Sequence, residues 1–369
     1  MQEKNKMNKF IYLDAAASYL KSNAVIEEQS DFLRNKYANA GRGVCGRASN
    51  VDKMVADVRK KIAMRMNANV RNIVFTSGTT DAINRIVRML NISSDMTVAV
   101  SDLDHHSARL PFQMTVANIV QCPLDDKLNI DTTRIPFADV MVVTAMSNVM
   151  GMPQDVEKII KAARQKNPNV IVVVDAAQYI VHENIDVQKW DADFVVWSGH
   201  KIGADTGIGV MYIKNPNRFM PDKFGGGMVN RVYADGRVEL GDGPDVFEAG
   251  TLPLTQIAGM GVAIDEINEK RPDLNLIKYL YDKLKELNHI RILTPRDASM
   301  LTFVVDNMHA MDFGALVGAH GVCVRVGNMC ATWIHQRLQI ESSVRVSVGA
   351  YNTIEDIDDF VDIVQRIIK

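Results

Sequence analysis

Val170-Ile171-Val172-Val173-Val174-Asp175-Ala176-Ala177-Gln178 is the stretch that decides how this chain is read. Five β-branched residues in succession fit a strand buried on both faces, as in a parallel sheet. An acid at the end of such a strand must find a cation or a proton donor. Outward from this stretch, short β-rich runs recur at 73–75, 97–100, 140–144, 194–197 and 209–213. Helical patterns lie between them. One follows a Gly-Thr-Thr turn and runs to about Leu90; another sets Val156, Ile159, Ile160 and Ala163 on one face before Pro168 blocks continuation. Strands separated by helices predict an α/β domain with a mostly parallel central sheet.

From about residue 254 the pattern changes. Helical stretches at 255–269 and 275–287 precede short strands at 300–305, 322–326 and 344–348. The last helix opens on Thr353 and Asp356 at capping-box spacing and carries an apolar face of Ile357, Phe360, Val361, Val364 and Ile368. This predicts a smaller C-terminal α+β domain. The expected division is 14–253 for the large domain and 254–369 for the small one, with residues 1–13 packing on the latter.

The 369 residues are 47% apolar and 23% charged, which excludes a disordered chain. Forty-two Lys and Arg against 44 Asp and Glu leave a net charge of −2, without the basic footprint of a nucleic-acid binder. No apolar run approaches the roughly 20 residues of a membrane span. The stretch Met1 to Lys9 is polar and lacks the apolar core of a secretory signal, so a cytoplasmic location is expected. The four cysteines, Cys45, Cys122, Cys323 and Cys330, show no paired metal-type spacing. They read as reduced thiols, and no metal site is expected.

The chemistry gathers at predicted strand ends. Ser198-Gly199-His200-Lys201 follows one strand, and Asp175 ends another. Carboxyl ends of parallel strands are where α/β proteins bind ligands. A buried acid and a lysine used together point to pyridoxal phosphate, which forms a Schiff base with the lysine and pairs its ring nitrogen with the acid. Thr76-Ser77-Gly78-Thr79-Thr80 joins a strand to a helix. Its glycine and the free N–H groups of the first turn suit a phosphate, with the Thr79 and Thr80 hydroxyls assisting. Asp104-His105-His106-Ser107, past another strand, offers an imidazole that could stack on a cofactor ring. Each piece alone has an ordinary structural reading; the order and spacing of all four together are specific.

With these residues in place, the chain resembles the class V aminotransferase-type pyridoxal phosphate enzymes, and within them the SUF-type cysteine desulfurases and selenocysteine lyases. The likeness runs from Tyr12-Leu13-Asp14-Ala15-Ala16-Ala17 through the stretches above and Ser147-Asn148-Val149-Met150-Gly151. It continues through Gly225-Gly226-Gly227-Met228, Phe247-Glu248-Ala249-Gly250-Thr251, Arg325-Val326-Gly327-Asn328-Met329-Cys330 and Arg345. The resemblance implies fold type I and a homodimer. It implies that Lys201 holds the cofactor and moves protons, that Asp175 meets the ring nitrogen, Gln178 the phenolic oxygen and His105 the ring face. Thr79, Ser198 and His200 would hold the phosphate, with Thr251 reaching in from a partner subunit. Asn148 and Arg345 would grip the substrate carboxylate, with Ala15 beside it. The implied substrate is L-cysteine, with L-selenocysteine a near variant, and the implied partner is a sulfur-acceptor protein, as in iron–sulfur cluster assembly.

Cys330 matches the family's catalytic cysteine, and Arg325 and Arg345 are sources of positive potential for its thiolate. Cys122 and Cys323 read as core. Related enzymes usually carry His-Arg-Gly-x-His where this chain has Gly41-Arg42-Gly43-Val44-Cys45, so both histidines are absent. Cys45 is thereby marked as a second thiol for sulfur handling. The rival readings are an aminotransferase, epimerase or kynureninase-like lyase, none of which needs Cys330. A non-catalytic cofactor-binding regulator would need an appended DNA-binding module, and the charge supports none.

Overall fold

The computed structural model describes residues 10–41 and 43–369. The expectations that rest on Met1 to Lys9 and on Arg42 lie outside the described residues. The chain divides into two compact units. One comprises Lys21–Ala145 and Gln154–Glu269; the other comprises residues 10–20, Met146–Pro153 and Lys270–Lys369.

The larger unit is built on a seven-stranded sheet. Its spatial order is Ile73–Thr76, Gly209–Ile213, Phe194–Ser198, Ile171–Asp175, Val140–Thr144, Thr97–Val100 and Asn118–Gln121. Neighbours from Phe194–Ser198 to Asn118–Gln121 run parallel. Gly209–Ile213 runs antiparallel to both strands beside it. Val172, Val173 and Val174 are fully buried, as their unbroken β-branched run requires. Helix Thr79–Leu90 turns Ala82, Ile83 and Ile86 inward and ends on left-handed Asn91. Helix Val156–Lys166 is capped by Asp155, whose side chain accepts the Lys158 N–H, and it buries Val156, Ile159, Ile160 and Ala163. Burying each of these valine and isoleucine side chains stabilises the fold by about 1.5–3 kcal/mol.

Helix Leu254–Glu269, expected to open the small domain, belongs to the large one. It packs on helices Asn23–Asp31 and Gly46–Arg65. Gly261 makes that approach possible: a Cβ there would meet Val58 Cγ2 at 2.7 Å. The division therefore falls after Glu269 rather than after 253.

The smaller unit carries a four-stranded antiparallel sheet in the order Ile290–Ile292, Leu301–Val305, Ser343–Val346 and Arg325–Gly327. Helices Leu274–Lys285, Ala310–Ala319 and Ile354–Ile367 belong to the same unit, and their apolar faces join a core with Leu301, Phe303, Val344 and Val346. Thr353 and Asp356 form the reciprocal capping box at the start of the last helix. The expected single strand at 322–326 is two. Val322–Cys323 pairs with Ile11–Tyr12, whereas Arg325–Gly327 pairs with Ser343–Val346. Residues 146–153 are stitched into this unit by Thr302 Oγ1, which donates to Val149 O at 2.6 Å, and by the Ser299 N–H, which donates to Gly151 O at 2.9 Å. Among the described residues no helix is long and apolar enough to cross a membrane, and no cluster of His, Cys, Asp and Glu could hold a metal ion.

Candidate active site

In the larger unit, the predicted cofactor residues gather at the carboxyl ends of adjacent strands. Asp175 ends its strand in register with Val196 of the next, which closes on Ser198 and runs into the short turn Gly199–Lys201. Asp175 is buried, and its Oδ1 accepts the Ala177 N–H at 2.9 Å. Burial pushes its pKa up to about 6, against the opposing pull of that N–H and of the Lys201 charge. Gln178 is buried three residues on. His200 is pushed down to about 4, first by burial and then by Lys201 and Lys21, so it is neutral near pH 7.

The phosphate-type turn is held by Ser198. Its Oγ accepts the Thr79 N–H at 2.8 Å and lies 2.9 Å from Thr79 Oγ1. Gly78 sits at φ +149, a conformation that L side chains rarely adopt. A cleft of about 590 Å³ opens here, lined by Ser77, Gly78, Thr79, Thr80, Ser198 and His200 among others. Thr80 is exposed, and its Oγ1 lies 2.7 Å from Ser107 Oγ, which ties this turn to the helix after His105. His105 caps that helix: its Nδ1 accepts the Ser107 N–H at 3.1 Å, which leaves the ring proton of the neutral imidazole on Nε2. The preceding Asp104 is fully buried. It accepts from the Ser101 N–H at 2.7 Å and Thr144 Oγ1 at 2.7 Å, and burial pushes its pKa up to about 6.

Thr251 is exposed and lines a second cleft of about 250 Å³ with Ser77, Arg85 and Lys223. A buried pair anchors the segment before it. Arg59 meets both Glu248 carboxylate oxygens, at 2.7 and 2.8 Å, and Glu248 also accepts the Phe75 N–H at 2.6 Å. Sequence reasoning missed this pair, although Glu248 stands inside a quoted motif. A buried acid, a nearby lysine and a glycine turn with clustered hydroxyls form a donor set that fits pyridoxal phosphate. A protonated ring nitrogen would give the buried Asp175 carboxylate a further hydrogen-bond donor, and the turn would take the phosphate.

The predicted substrate residues gather in the smaller unit. Arg345 is 2% exposed; its Nη1 donates to Asn148 O at 2.7 Å and its Nη2 to Asp14 Oδ1 at 3.1 Å. Its Nε is buried with no hydrogen-bond partner. Burial draws its pKa down, and Asp14 pulls it back up. Arg325 stands directly opposite Arg345 across the strand pair and reaches Asp14 Oδ2 at 2.7 Å. Two guanidiniums on one carboxylate leave a net positive charge, which suits an anionic substrate group. Sequence reasoning did not single out Asp14 for this role.

Asn148 Nδ2 donates to Met329 O at 2.8 Å, while its Oδ1 is buried without a partner. The next residue, Cys330, is exposed. Met329 and Cys330 both adopt left-handed backbone, at φ +52 and +53. Each such non-glycine residue costs about 1–2 kcal/mol. Ala15 is buried, and its N–H is taken by Ser347 O at 3.3 Å, so it offers substrate an apolar wall and no donor. Cys122 is core as expected, and burial pushes its thiol up to about 12. Cys323 is not core: its short strand lies beside Ile11–Tyr12 and leaves it partly exposed. Cys45 is exposed immediately before helix Gly46–Arg65.

Residues 11–360 match the family model described as aminotransferase class-V. A cysteine desulfurase of Pectobacterium carotovorum subsp. carotovorum is 32% identical over 378 residues, covering 96% of this chain and 92% of that protein. The apo structure of a cysteine desulfurase from Thermococcus onnurineus superposes with a TM-score of 0.92 at 30% identity, over 98% of this chain and 95% of the other. The S-sulfonic acid form of the Escherichia coli cysteine desulfurase CsdA gives 0.88 at 30% identity, over 97% and 94%. By sequence and by fold, the chain belongs to the pyridoxal-phosphate-dependent aminotransferase class-V family, within its cysteine desulfurase group.

Proposed function

We propose that the chain converts L-cysteine to L-alanine and keeps the sulfur as a persulfide on Cys330. The observation that carries this reading is an exposed thiol in a left-handed turn hydrogen-bonded to Asn148, which also binds the buried Arg345. Pyridoxal phosphate, when bound, supplies the electron sink that acidifies the substrate's α-carbon. Asp175 would hold the proton on the cofactor's ring nitrogen, neutral His200 and the Thr79–Ser198 pair would hold the phosphate, and Gln178 and His105 would bind the ring. Lys201 would hold the cofactor and move the α-proton. Arg345 binds the substrate carboxylate. The Cys330 thiolate attacks the substrate sulfur; the new S–S bond forms as the C–S bond breaks. The electron pair stays with the carbon fragment, which takes up a proton and leaves as alanine.

The persulfide sulfur passes to an acceptor protein in iron–sulfur cluster assembly. The enzyme works as a cytoplasmic homodimer, with Thr251 reaching the partner's phosphate site. Cys330→Ala is the test. Alanine formation from cysteine should fall by about a hundredfold or more, while the visible absorbance of the bound cofactor stays. Undiminished turnover of cysteine, or transamination of another amino acid by both proteins, would refute this reading and favour the rival chemistries.

A further inference from the structure

The turn that carries Cys330 is held in a costly shape. Met329 and Cys330 are consecutive left-handed residues, and neither is glycine. Inside the turn, Asn328 Oδ1 accepts the Cys330 N–H at 3.2 Å and Asn328 O accepts the Ala331 N–H at 2.9 Å. These local bonds leave the Met329 carbonyl to another part of the chain, and Asn148 Nδ2 takes it from 181 positions away.

Asn148 is itself well anchored. Its backbone carbonyl receives Arg345 Nη1, and the residues after it are pinned at Val149 O and Gly151 O. It is 8% exposed, so little water competes for its amide. One residue thus contacts the guanidinium assigned to the substrate carboxylate and the turn of the assigned nucleophile.

We propose that Asn148 is a positioning residue for Cys330. Its side chain holds the turn left-handed and its backbone holds Arg345, so carboxylate grip and nucleophile share one support. This rests on the desulfurase reading and refines it. The resemblance places Asn148 on the substrate carboxylate. Here one of its two amide N–H donors is engaged with Met329 O, and its Oδ1 is an acceptor that repels a carboxylate, so at most one N–H is left for a carboxylate.

The test uses full-length, cofactor-loaded Asn148→Ala and Asn148→Asp. The first keeps the carbonyl that binds Arg345. The second keeps the size of the side chain and serves if the first fails to fold. Hydrogen exchange of the peptide 325–337, measured without substrate, should be about fivefold faster or more in either variant. In Asn148→Ala, kcat for alanine formation should fall about tenfold while KM for cysteine moves less than about twofold. Unchanged exchange would overturn the proposal, as would faster exchange with unchanged kcat. A raised KM at constant kcat would restore the direct grip on the carboxylate. If the wild type makes no alanine from cysteine, the reaction reading fails, and unchanged exchange would still separately refute the role of Asn148 in holding the turn.

Discussion

Asp175 places a carboxylate at the end of a strand made otherwise of valine and isoleucine, and burial raises its pKa to about 6. In the unfolded chain an aspartate titrates near about 3.9. As pH rises, the unfolded state therefore releases this proton first, and the cofactor-free fold loses stability from about pH 4 through about pH 6. The loss is about 2–3 kcal/mol for a shift of this size. Asp175→Asn removes it. Urea unfolding of the cofactor-free variant should vary by about 2 kcal/mol less between roughly pH 4.5 and 7 than that of the wild type. Equal pH dependences would contradict the buried-acid account. Asp175, Ser198 and Lys201 were legible in the sequence because each sits at or just past the end of an unmistakable apolar run. Asp14 was not, because Arg345, one of the two arginines it bridges, lies 331 positions away and nothing local marks the pair.

At the scale of elements, the phosphate turn depends on a strand whose direction the sequence left open. Residues 209–213 read correctly as β, but their antiparallel course is set by pairing with Ile73–Thr76 and Phe194–Ser198. Gly209 is where that pairing meets the site: a Cβ there would lie 2.5 Å from Gly78 Cα and 2.8 Å from Trp197 O. Both obstacles are backbone, so neither yields cheaply. Gly209→Ala should destabilise the protein by about 1–3 kcal/mol. It should also weaken pyridoxal phosphate binding about tenfold, about 1.4 kcal/mol, by moving Thr79 off Ser198. A urea midpoint and an absorbance titration read the two effects, and unchanged affinity would show that this turn does not anchor the phosphate. The run at 322–326 teaches the same point. Its composition is right for strand, yet two different partners claim its two ends.

For the whole molecule, the smaller unit is assembled from three separate pieces of chain. Leu13 shows what the amino-terminal piece contributes. It is fully buried in the core with Phe303, Phe313 and Phe360, and its backbone bonds to Cys323 O and the Ser347 N–H. Leu13→Ala should cost about 2–4 kcal/mol, as for a central core position, and a urea unfolding curve measures it. A loss under about 0.5 kcal/mol, typical of surface positions, would show that this piece is peripheral. The sequence by itself determined the cofactor chemistry. The acid, the lysine and the glycine turn each stand at a junction of strand, turn and helix, and such junctions are written in local residue patterns. Only the tertiary structure decided how the substrate side is built. Asp14, Asn148, Met329 and Arg345 meet through single hydrogen bonds across long stretches of chain. Such bonds depend on where the backbone returns, and no periodicity or spacing encodes that.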